Sequence, residues 1–255
     1  MTEVDTVTWT NVAMFVAVGF LAQMVDGALG MAYKVATSAV LLSMGFAPAT
    51  VSGSVHTAGT FTSVASALAH WRVGNVDRRL LRSLLIPGVL GGAIGALVLS
   101  SVPGSILRPW ISAYLMLMGA YILCRAIRRR ASTTHAIPAS TPQLGFVGGL
   151  CDAIGGGGWG PIVTTTLVGN GVAPRAAIGS ANAAEFFVTV TIAGTLLTTV
   201  GISLWPIIAA LVVGGIVAAP FAALVAKYLP ERLLMYALAG VIIILSGRTL
   251  VLALQ

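Results

Sequence analysis

The chain contains one long internal repeat: the stretch Gly19–Ala58 recurs at Gly145–Ala184 without gaps, at a constant offset of 126 residues. Each copy places a single aspartate and several glycines inside an apolar run. A chain with this pattern is expected to fold as two copies of one structural unit packed against each other. Pairs of identical residues include Gly19/Gly145, Asp26/Asp152, Gly30/Gly156, Gly45/Gly171, Pro48/Pro174 and Ser54/Ser180.

The composition indicates a membrane protein. The chain is 57% hydrophobic and 8% charged, whereas a soluble domain carries about 25% charged residues. Apolar runs recur from end to end, and many approach the roughly 20 residues that a helix needs to cross a bilayer. We predict an all-α polytopic protein that forms a single transmembrane domain over residues 1–255, with the lipid bilayer as its surroundings. The candidate helices are Asn11–Val25, Tyr33–Phe46, Pro48–His70, Leu80–Ser101, Ile106–Cys124, Gln143–Ile154, Trp159–Asn170, Pro174–Val200, Leu204–Ala226 and Arg232–Leu250.

The net charge of +7 is concentrated in two short segments, which hold eight of the fourteen basic residues. Short basic loops beside membrane helices mark the cytoplasmic side, so both segments are predicted inside. We therefore expect no nucleic acid as a partner; a phosphate-binding surface is the alternative interpretation. The eight residues are Arg72, Arg78, Arg79, Arg82, Arg125, Arg128, Arg129 and Arg130.

The charge bias is reversed in the second copy. The counterpart of the loop Arg72–Arg82 is Val200–Leu204, which carries no charge, whereas the counterpart of the turn near Pro103 is the basic segment Lys227–Arg232. Inverted-topology repeats predict this reversal, and parallel repeats do not. We predict repeat one over residues 1–127, a cytoplasmic basic linker over 128–142 and repeat two over 143–255, with both termini outside.

The first two elements of each repeat are shorter than the others. Inversion requires an odd number of crossings per repeat, and three long apolar runs supply it. The runs Asn11–Val25 and Tyr33–Phe46 would be roughly 21–23 Å long as helices, which is short for a hydrocarbon core of about 30 Å. Each repeat is therefore predicted to begin with a re-entrant hairpin, or with two tilted helices that meet at a kink, followed by three transmembrane helices.

Glycines separate these short elements at Asp26–Gly30 and Asp152–Gly158, and the second segment ends in four consecutive glycines. A glycine within a helix costs about 1 kcal/mol relative to alanine, so the run indicates backbone that unwinds or approaches another group closely. Irregular backbone at membrane depth is tolerated where it is buried in protein or lines a cavity. The alternative is simple close packing of helices through small residues.

Three parts of the chain carry a family resemblance: Gly19–Tyr33, the loop His70–Arg79, and Asp152–Pro161 with Gly179–Phe187. The chain resembles, over essentially its whole length, the TauE/SafE sulfite exporter family, also called the toluene sulfonate uptake permease family. The resemblance implies a secondary transporter, and in the first instance an exporter, of small sulfur-containing anions such as sulfite or organosulfonates, for example sulfoacetate. It also implies a plasma-membrane location, the inner membrane in bacteria. The alternatives are a passive anion channel or uniporter, and an uptake permease for a related anion.

Two positions depart from the family pattern. The residue after Tyr33 is usually glycine but is Lys34 here, and the family's His-x-Ala-Glu reads His56-Thr-Ala-Gly59. Repeat two keeps its carboxylate at Glu185. One site thus loses a carboxylate and gains an amine, which makes it more positive and favours an anionic substrate.

A small oxyanion needs hydrogen-bond donors and positive potential. A helix that starts at membrane depth offers free backbone N–H groups and the positive end of its dipole. Lys34 follows the break, and a charge at that depth is a functional hypothesis by default. The alternatives are that Lys34 snorkels to the membrane surface or forms a structural pair with Asp26 or Asp152. Nearby hydroxyls donate either to the anion or back to their own helix, and the rings at the breaks either shape the pathway or fill space. The candidate substrate-binding residues are Tyr33, Lys34, Thr37, Ser38, Ser54, His56, Gly156, Gly157, Gly158, Trp159, Thr164, Ser180 and Asn182.

Three carboxylates are candidates for coupling transport to protons: Asp26, Asp152 and Glu185. A carboxyl group buried among apolar side chains can hold a proton near neutral pH. The competing interpretation is that the aspartates cap the helices that follow them and that Glu185 forms a structural pair. His56 is a further proton carrier, since histidine changes charge near physiological pH, or else a satisfied buried group.

No enzymatic motif is present. The chain lacks the zinc-protease, serine-hydrolase and nucleotide-binding signatures, so we expect no enzyme. The energy for transport is then expected to come from gradients or from a separate partner. The two cysteines, Cys124 and Cys151, have no metal-site spacing. Neither a metal nor a cofactor is predicted, and the sequence leaves the oligomeric state open.

Overall fold

The computed structural model describes residues 9–29, 31–127, 137–201, 204–228 and 231–255. All regular structure within these residues is helical, as predicted. The N-terminal segment with Glu3 and Asp5, Gly30 and most of the basic linker lie outside the described residues. The helices are α1 (Trp9–Leu29), α2 (Tyr33–Ser43), α3 (Pro48–Arg72), α4 (Arg78–Ser101), α5 (Gly104–Ile127), α6 (Thr141–Gly155), α7 (Thr165–Gly169, preceded by the π-helical turn Gly160–Thr164), α8 (Pro174–Thr199), α9 (Trp205–Tyr228) and α10 (Glu231–Ala253).

Each helix of the first half has a counterpart about 126 residues later, so α1 to α5 correspond to α6 to α10, with the π-helical turn and α7 together matching α2. The packing repeats as well, because α1 packs along α9 while α6 packs along α4. Within the described residues, four segments are long and apolar enough to cross a membrane: α4, α5, α8 and Arg232–Ala253 of α10. The chain is therefore a multi-pass helical protein.

Helix α1 is longer than its sequence predicts. It has 21 residues, about 32 Å, because it continues past Asp26 to Leu29. The Asp26 carboxylate does not end its own helix; its Oδ1 accepts hydrogen bonds from the backbone N–H of Ala32 (2.6 Å) and Tyr33 (3.0 Å). The carboxylate thus caps α2 from the last part of α1, and the break is narrower than the predicted segment Asp26–Gly30.

Glycines bring α4 and α6 into backbone contact. A Cβ atom at Gly91 would lie 2.1 Å from the Phe146 carbonyl oxygen, and one at Gly149 would lie 2.2 Å from the carbonyl oxygen of Gly88. Small residues allow membrane helices to approach this closely. Close helix packing therefore explains why glycines occur between α4 and α6. The glycines of the break at Gly156–Gly158 require a separate explanation.

The counterparts α3 and α8 pack against each other in opposite directions. Thr189 Cγ2 lies 3.6 Å from where a Cβ atom of Gly59 would be, and further along α3 the Ser66 hydroxyl accepts a hydrogen bond from Asn182 Nδ2 at 3.0 Å. Residue numbers therefore increase along α3 in the direction in which they decrease along α8. This antiparallel pair carries several of the predicted site residues.

Two arginines hold the far end of α2. Arg108 of α5 donates to the carbonyl oxygens of Gly45 (2.5 Å) and Phe46 (2.9 Å), and Arg248 of α10 donates to that of Ser43 (3.1 Å). Cations stabilise a helix C-terminus by satisfying its free carbonyls and its dipole. These contacts fix the C-terminal end of α2. Because the helix is short, they also help to fix its first turn, which carries Lys34.

We expect Gly149→Ala to destabilise the protein, because the added methyl group would overlap the Gly88 carbonyl oxygen; overpacking of this kind costs about 1–3 kcal/mol. Gly194→Ala is the matched control, since no atom of the described part of the chain lies within 4 Å of the position its methyl group would take. Thermal unfolding in detergent should show a lower Tm for the first variant only. Equal melting temperatures for both variants would contradict the described α4–α6 contact.

Candidate functional site

The two repeated aspartates make the same backbone contacts. Asp152 Oδ1 accepts hydrogen bonds from the N–H groups of Gly158 (2.7 Å) and Trp159 (3.1 Å), the counterparts of the two groups that bond to Asp26. Each aspartate therefore bridges a break and caps the helix beyond it, which is the geometry of the capping interpretation.

A cluster of ionisable side chains surrounds the second oxygen of Asp152. Its Oδ2 lies 2.5 Å from Lys34 Nζ and 3.2 Å from His56 Nε2. Lys34 Nζ also lies 2.8 Å from Glu185 Oε1 and 3.2 Å from the Thr189 hydroxyl. We call Lys34, His56, Asp152 and Glu185 the ion cluster. Lys34 and His56 come from the first half of the chain, whereas Asp152 and Glu185 come from the second, so the ion cluster joins the two halves.

The Lys34 ammonium group is fully engaged. An ammonium has three N–H donors, and Asp152, Glu185 and Thr189 supply three acceptors. The Lys34 and Asp152 side chains are 9% and 0% exposed. A buried charge is tolerated when it is paired and hydrogen-bonded, and both conditions are met here.

His56 and Ser52, one turn apart on α3, link the ion cluster to the end of α6. His56 Nδ1 lies 2.8 Å from the Ser52 carbonyl oxygen, so both ring nitrogens face oxygen atoms. The Ser52 hydroxyl donates to the carbonyl oxygen of Ala153 at 2.6 Å, and the Ser38 hydroxyl donates to that of Gly156 at 2.7 Å. Helices α2 and α3 of the first half therefore hold the end of α6 and the break that follows it.

The glycines of this break are required by close approach. Gly156 adopts φ +67°, a left-handed conformation that ends α6 and suits glycine. A Cβ atom at Gly157 would lie 2.5 Å from the Val35 backbone nitrogen, and one at Gly158 would lie 2.4 Å from the Tyr114 hydroxyl oxygen. The break thus lies against the first turn of α2, and the unwound interpretation applies to Gly156–Gly158.

The equivalent place around Asp26 carries a different set of side chains. The counterparts of Lys34, His56 and Glu185 are Gly160, Asn182 and Gly59. Within the described part of the chain, no ion pair forms at Asp26. Gly59 leaves room for Lys34, whose Cγ and Cδ lie 3.6 Å from the place of a Cβ atom there. The duplication therefore keeps the two capping aspartates but assembles the ion cluster once.

The structure places other predicted site residues in contacts away from the ion cluster. Their polar groups bond within the protein: the Thr37 hydroxyl to the Tyr33 carbonyl, the Tyr33 hydroxyl to the Leu211 carbonyl, Trp159 Nε1 to the Ala181 carbonyl, the Ser180 hydroxyl to the Asp77 backbone and Asn182 Nδ2 to Ser66. By contrast, the buried hydroxyls of Ser54 and Thr164 have no hydrogen-bond partner among the residues that the structure describes. Substrate contact by any of these residues stays a prediction.

Sequence reasoning missed three side chains of this region. Thr189 follows Glu185 by four residues and Ser52 precedes His56 by four, so helical spacing places each beside a predicted residue. That spacing is a usable but weak signal, because serine and threonine are frequent in both helices. Tyr114, which packs against Gly155 and Gly158 from α5, has no such signal, since its contact depends on how distant helices pack.

Comparison with known proteins identifies the family to which the chain belongs. The sequence profile of the family described as Sulfite exporter TauE/SafE matches residues 15–249. The chain is 39% identical over 247 residues to the "Probable membrane transporter protein YtnM" of Bacillus subtilis (strain 168), covering 93% of this chain and 82% of that protein. No solved structure matches the chain. The chain belongs to the TauE/SafE sulfite exporter family, a family of membrane transporters, as its motifs predicted.

We expect Lys34→Ala to destabilise the protein by about 3–5 kcal/mol, because removing one partner leaves buried carboxylates without a counter-charge. Adding Glu185→Gln to the same chain should recover part of the loss, since only Asp152 then remains unpaired with an ammonium. Thermal unfolding of the single and double variants in detergent measures this coupling.

Arg82→Ala is a suitable control for that comparison, because Arg82 is an exposed cation near the start of α4 and surface substitutions usually change stability by within about 0.5 kcal/mol. If Lys34→Ala and Arg82→Ala unfold at the same temperature, the ion cluster does not contribute to stability as the geometry requires.

Proposed function

We propose that this protein is a secondary transporter that carries small sulfur-containing anions, such as sulfite or organosulfonates like sulfoacetate, and that export is its usual direction. One observation carries the proposal: the Lys34 ammonium lies buried where the two halves meet, at the first turn of α2 and beside a glycine break. Secondary transporters bind their substrates at such breaks between repeats.

The chemistry of this place suits an oxyanion. Lys34 supplies a compact positive charge, and α2 begins there, so the positive end of its dipole points the same way. Hydrogen-bond donors lie on the same elements: Ser38 on α2 and His56 on α3. We propose Lys34, Ser38, His56 and the backbone of Gly156–Gly158 as the core of the binding site.

We further propose that the halves are inverted repeats, with residues 1–127 as repeat one, 128–142 as a cytoplasmic linker and 143–255 as repeat two. The opposite directions of α3 and α8 support this arrangement, since these helices are counterparts in the duplication. Both termini then lie outside. Rocking of one half against the other would expose a site between them to each side in turn, and it would change the distances within the ion cluster.

The alternative functions are a passive channel or uniporter and an uptake permease. A channel needs a continuous pathway lined by positive or carbonyl groups, whereas Lys34 is closed in by three acceptors and almost wholly buried. This closure favours a carrier that must rearrange to bind its substrate. The relative's name gives only membrane transport, so the substrate and the direction rest on the family resemblance and the site.

Anion flux into proteoliposomes tests the function. We expect saturable transport of at least one anion from a panel of sulfite, thiosulfate, sulfoacetate, taurine and sulfate. The double variant Lys34→Gln/Glu185→Gln should abolish it, because the substitution removes the ammonium while keeping the net charge of the ion cluster. Glu185→Gln alone is the matched control that keeps the ammonium. Flux that does not saturate would favour the channel, and undiminished flux in the folded double variant would remove Lys34 from the site.

Cysteine labelling tests the architecture. Cys124→Ser and Cys151→Ser remove the natural thiols, and single cysteines are then placed at residue 2 or residue 255. Inverted repeats with three crossings after each hairpin predict that an impermeant thiol reagent added to intact cells modifies both positions. Modification of either position only from the cytoplasmic side would contradict the proposed topology.

A further inference from the structure

We propose that Glu185 acts as an internal substitute for the substrate: it occupies Lys34 in the empty transporter and leaves as a protonated carboxyl when an anion binds. One proton would then accompany each anion across the membrane. This inference rests on the proposed transport function and adds the coupling ion and its carrier.

The hydrogen-bond donors of Lys34 are all engaged. All three N–H groups of its ammonium have acceptors in the described structure, namely Asp152, Glu185 and Thr189. An incoming anion therefore finds no free donor on Lys34. Binding requires that one of the three acceptors give up its place.

Asp152 is held too firmly to leave. Its Oδ1 accepts two backbone N–H groups across the break, its Oδ2 contacts both Lys34 and His56, and its side chain is fully buried. Glu185 forms its ion pair with Lys34. Its side chain is 16% exposed, which is more than the side chains of Lys34 and Asp152. Glu185 is therefore the carboxylate that an anion displaces.

Charge balance then requires a proton. If Glu185 left as a carboxylate while a monovalent anion took its place, the buried region would gain one negative charge without a partner, which is costly at low dielectric. If a Glu185 oxygen takes up a proton as it leaves, the anion replaces the carboxylate and the charge of the ion cluster is unchanged. The proton dissociates when the anion has left on the other side and Glu185 pairs with Lys34 again.

The other charged groups around Glu185 do not replace it in this role. Lys34 is the ion-pair partner of Glu185, and Asp152 shares that ammonium with it. Asp26 on α1 acts on Glu185 only as a more distant negative charge. Helix α4 also packs against α8, but its charges, Arg78, Arg79 and Arg82, lie in its first turns. His56 bonds to Ser52 and Asp152 rather than to Lys34, so a proton on its ring would not free an N–H group of the ammonium.

The coupling has a measurable consequence. A monovalent anion that moves with one proton carries no net charge, so its flux follows the anion and pH gradients and does not respond to the membrane potential. Where the exterior is more acidic than the cytoplasm, the pH gradient opposes export, so export then requires an outward anion gradient that exceeds the inward proton gradient. The neutral amide of Glu185→Gln can pair only weakly with Lys34 and carries no proton. This variant should therefore move the anion alone, and its flux should become sensitive to potential.

The experiment uses the full-length protein in proteoliposomes that contain a pH-sensitive dye, with potassium and valinomycin to set the potential. The probes are methanesulfonate and thiosulfate, which stay ionised from mildly acidic to mildly alkaline pH. We expect one proton to enter with each probe anion in the wild type, and methanesulfonate flux to be equal with and without a potential.

Wild-type affinity for methanesulfonate should fall up to about tenfold per pH unit in the alkaline range, as binding linked to one proton requires. Glu185→Gln should show no proton entry and an affinity independent of pH.

Asp77→Asn is the matched control, because it removes one carboxylate at the start of α4 while asparagine can still cap that helix; it should behave as the wild type. Anion flux without proton entry in the wild type, or proton entry retained in Glu185→Gln, would overturn the inference. If Glu185→Gln does not fold, the wild-type proton count alone decides. If the wild type carries neither probe and no anion of the sulfur panel, the proposed function itself fails.

Discussion

The pairing of one buried ammonium with carboxylates from the other half of the chain is the interaction on which the rest of this site depends. Lys34 sits in α2, and its three acceptors belong to α6 and α8. A charge at this depth is stable only while its donors are satisfied, so α2, α6 and α8 must keep the described relation. The glycines at Gly156–Gly158 allow that relation, because any side chain at Gly157 would overlap the backbone of α2. Because the donors of Lys34 must stay satisfied, any change in its acceptors also changes the contact between the two halves of the chain.

The duplication accounts for the backbone geometry that the two breaks share. Differences at a few residues account for the charged side chains that surround only one of them. Asp26 and Asp152 cap equivalent helices through equivalent hydrogen bonds. The side chains around them differ, with Lys34 opposite Gly160 and Glu185 opposite Gly59 in the two copies. The backbone geometry needs both aspartates, whereas a single ammonium at the junction is enough to bind one small anion. A symmetric frame can therefore hold one asymmetric site.

Much of the fold was predictable because periodic apolar runs and the constant offset of 126 residues report directly on helices and their order. The boundaries of α3 to α10 fall close to the predicted runs, with Pro48 and Pro174 each beginning a helix. The end of α1 was not predicted, since an aspartate followed by glycine looks like a helix end unless the distant N–H groups it caps are known. The chemistry of Lys34, His56, Asp152 and Glu185 made each a candidate, and their role in binding stays a prediction. The pairing of Lys34 with Glu185 was not predicted, because it depends on how α2 and α8 pack against each other. Thr189 was missed because its four-residue spacing from Glu185 is a weak signal in a helix that is rich in threonine.

The most direct measurement of the central claim is an experimental structure of the protein with selenite, in which selenium replaces the sulfur of sulfite and can be located by anomalous scattering. The account predicts a selenium peak within hydrogen-bond reach of Lys34 Nζ, close to the break at Gly156–Gly158, with Glu185 turned away from the ammonium and Asp152 still in contact with it. A peak elsewhere in the molecule, with Lys34 still bonded to Glu185 as in the described structure, would contradict the account.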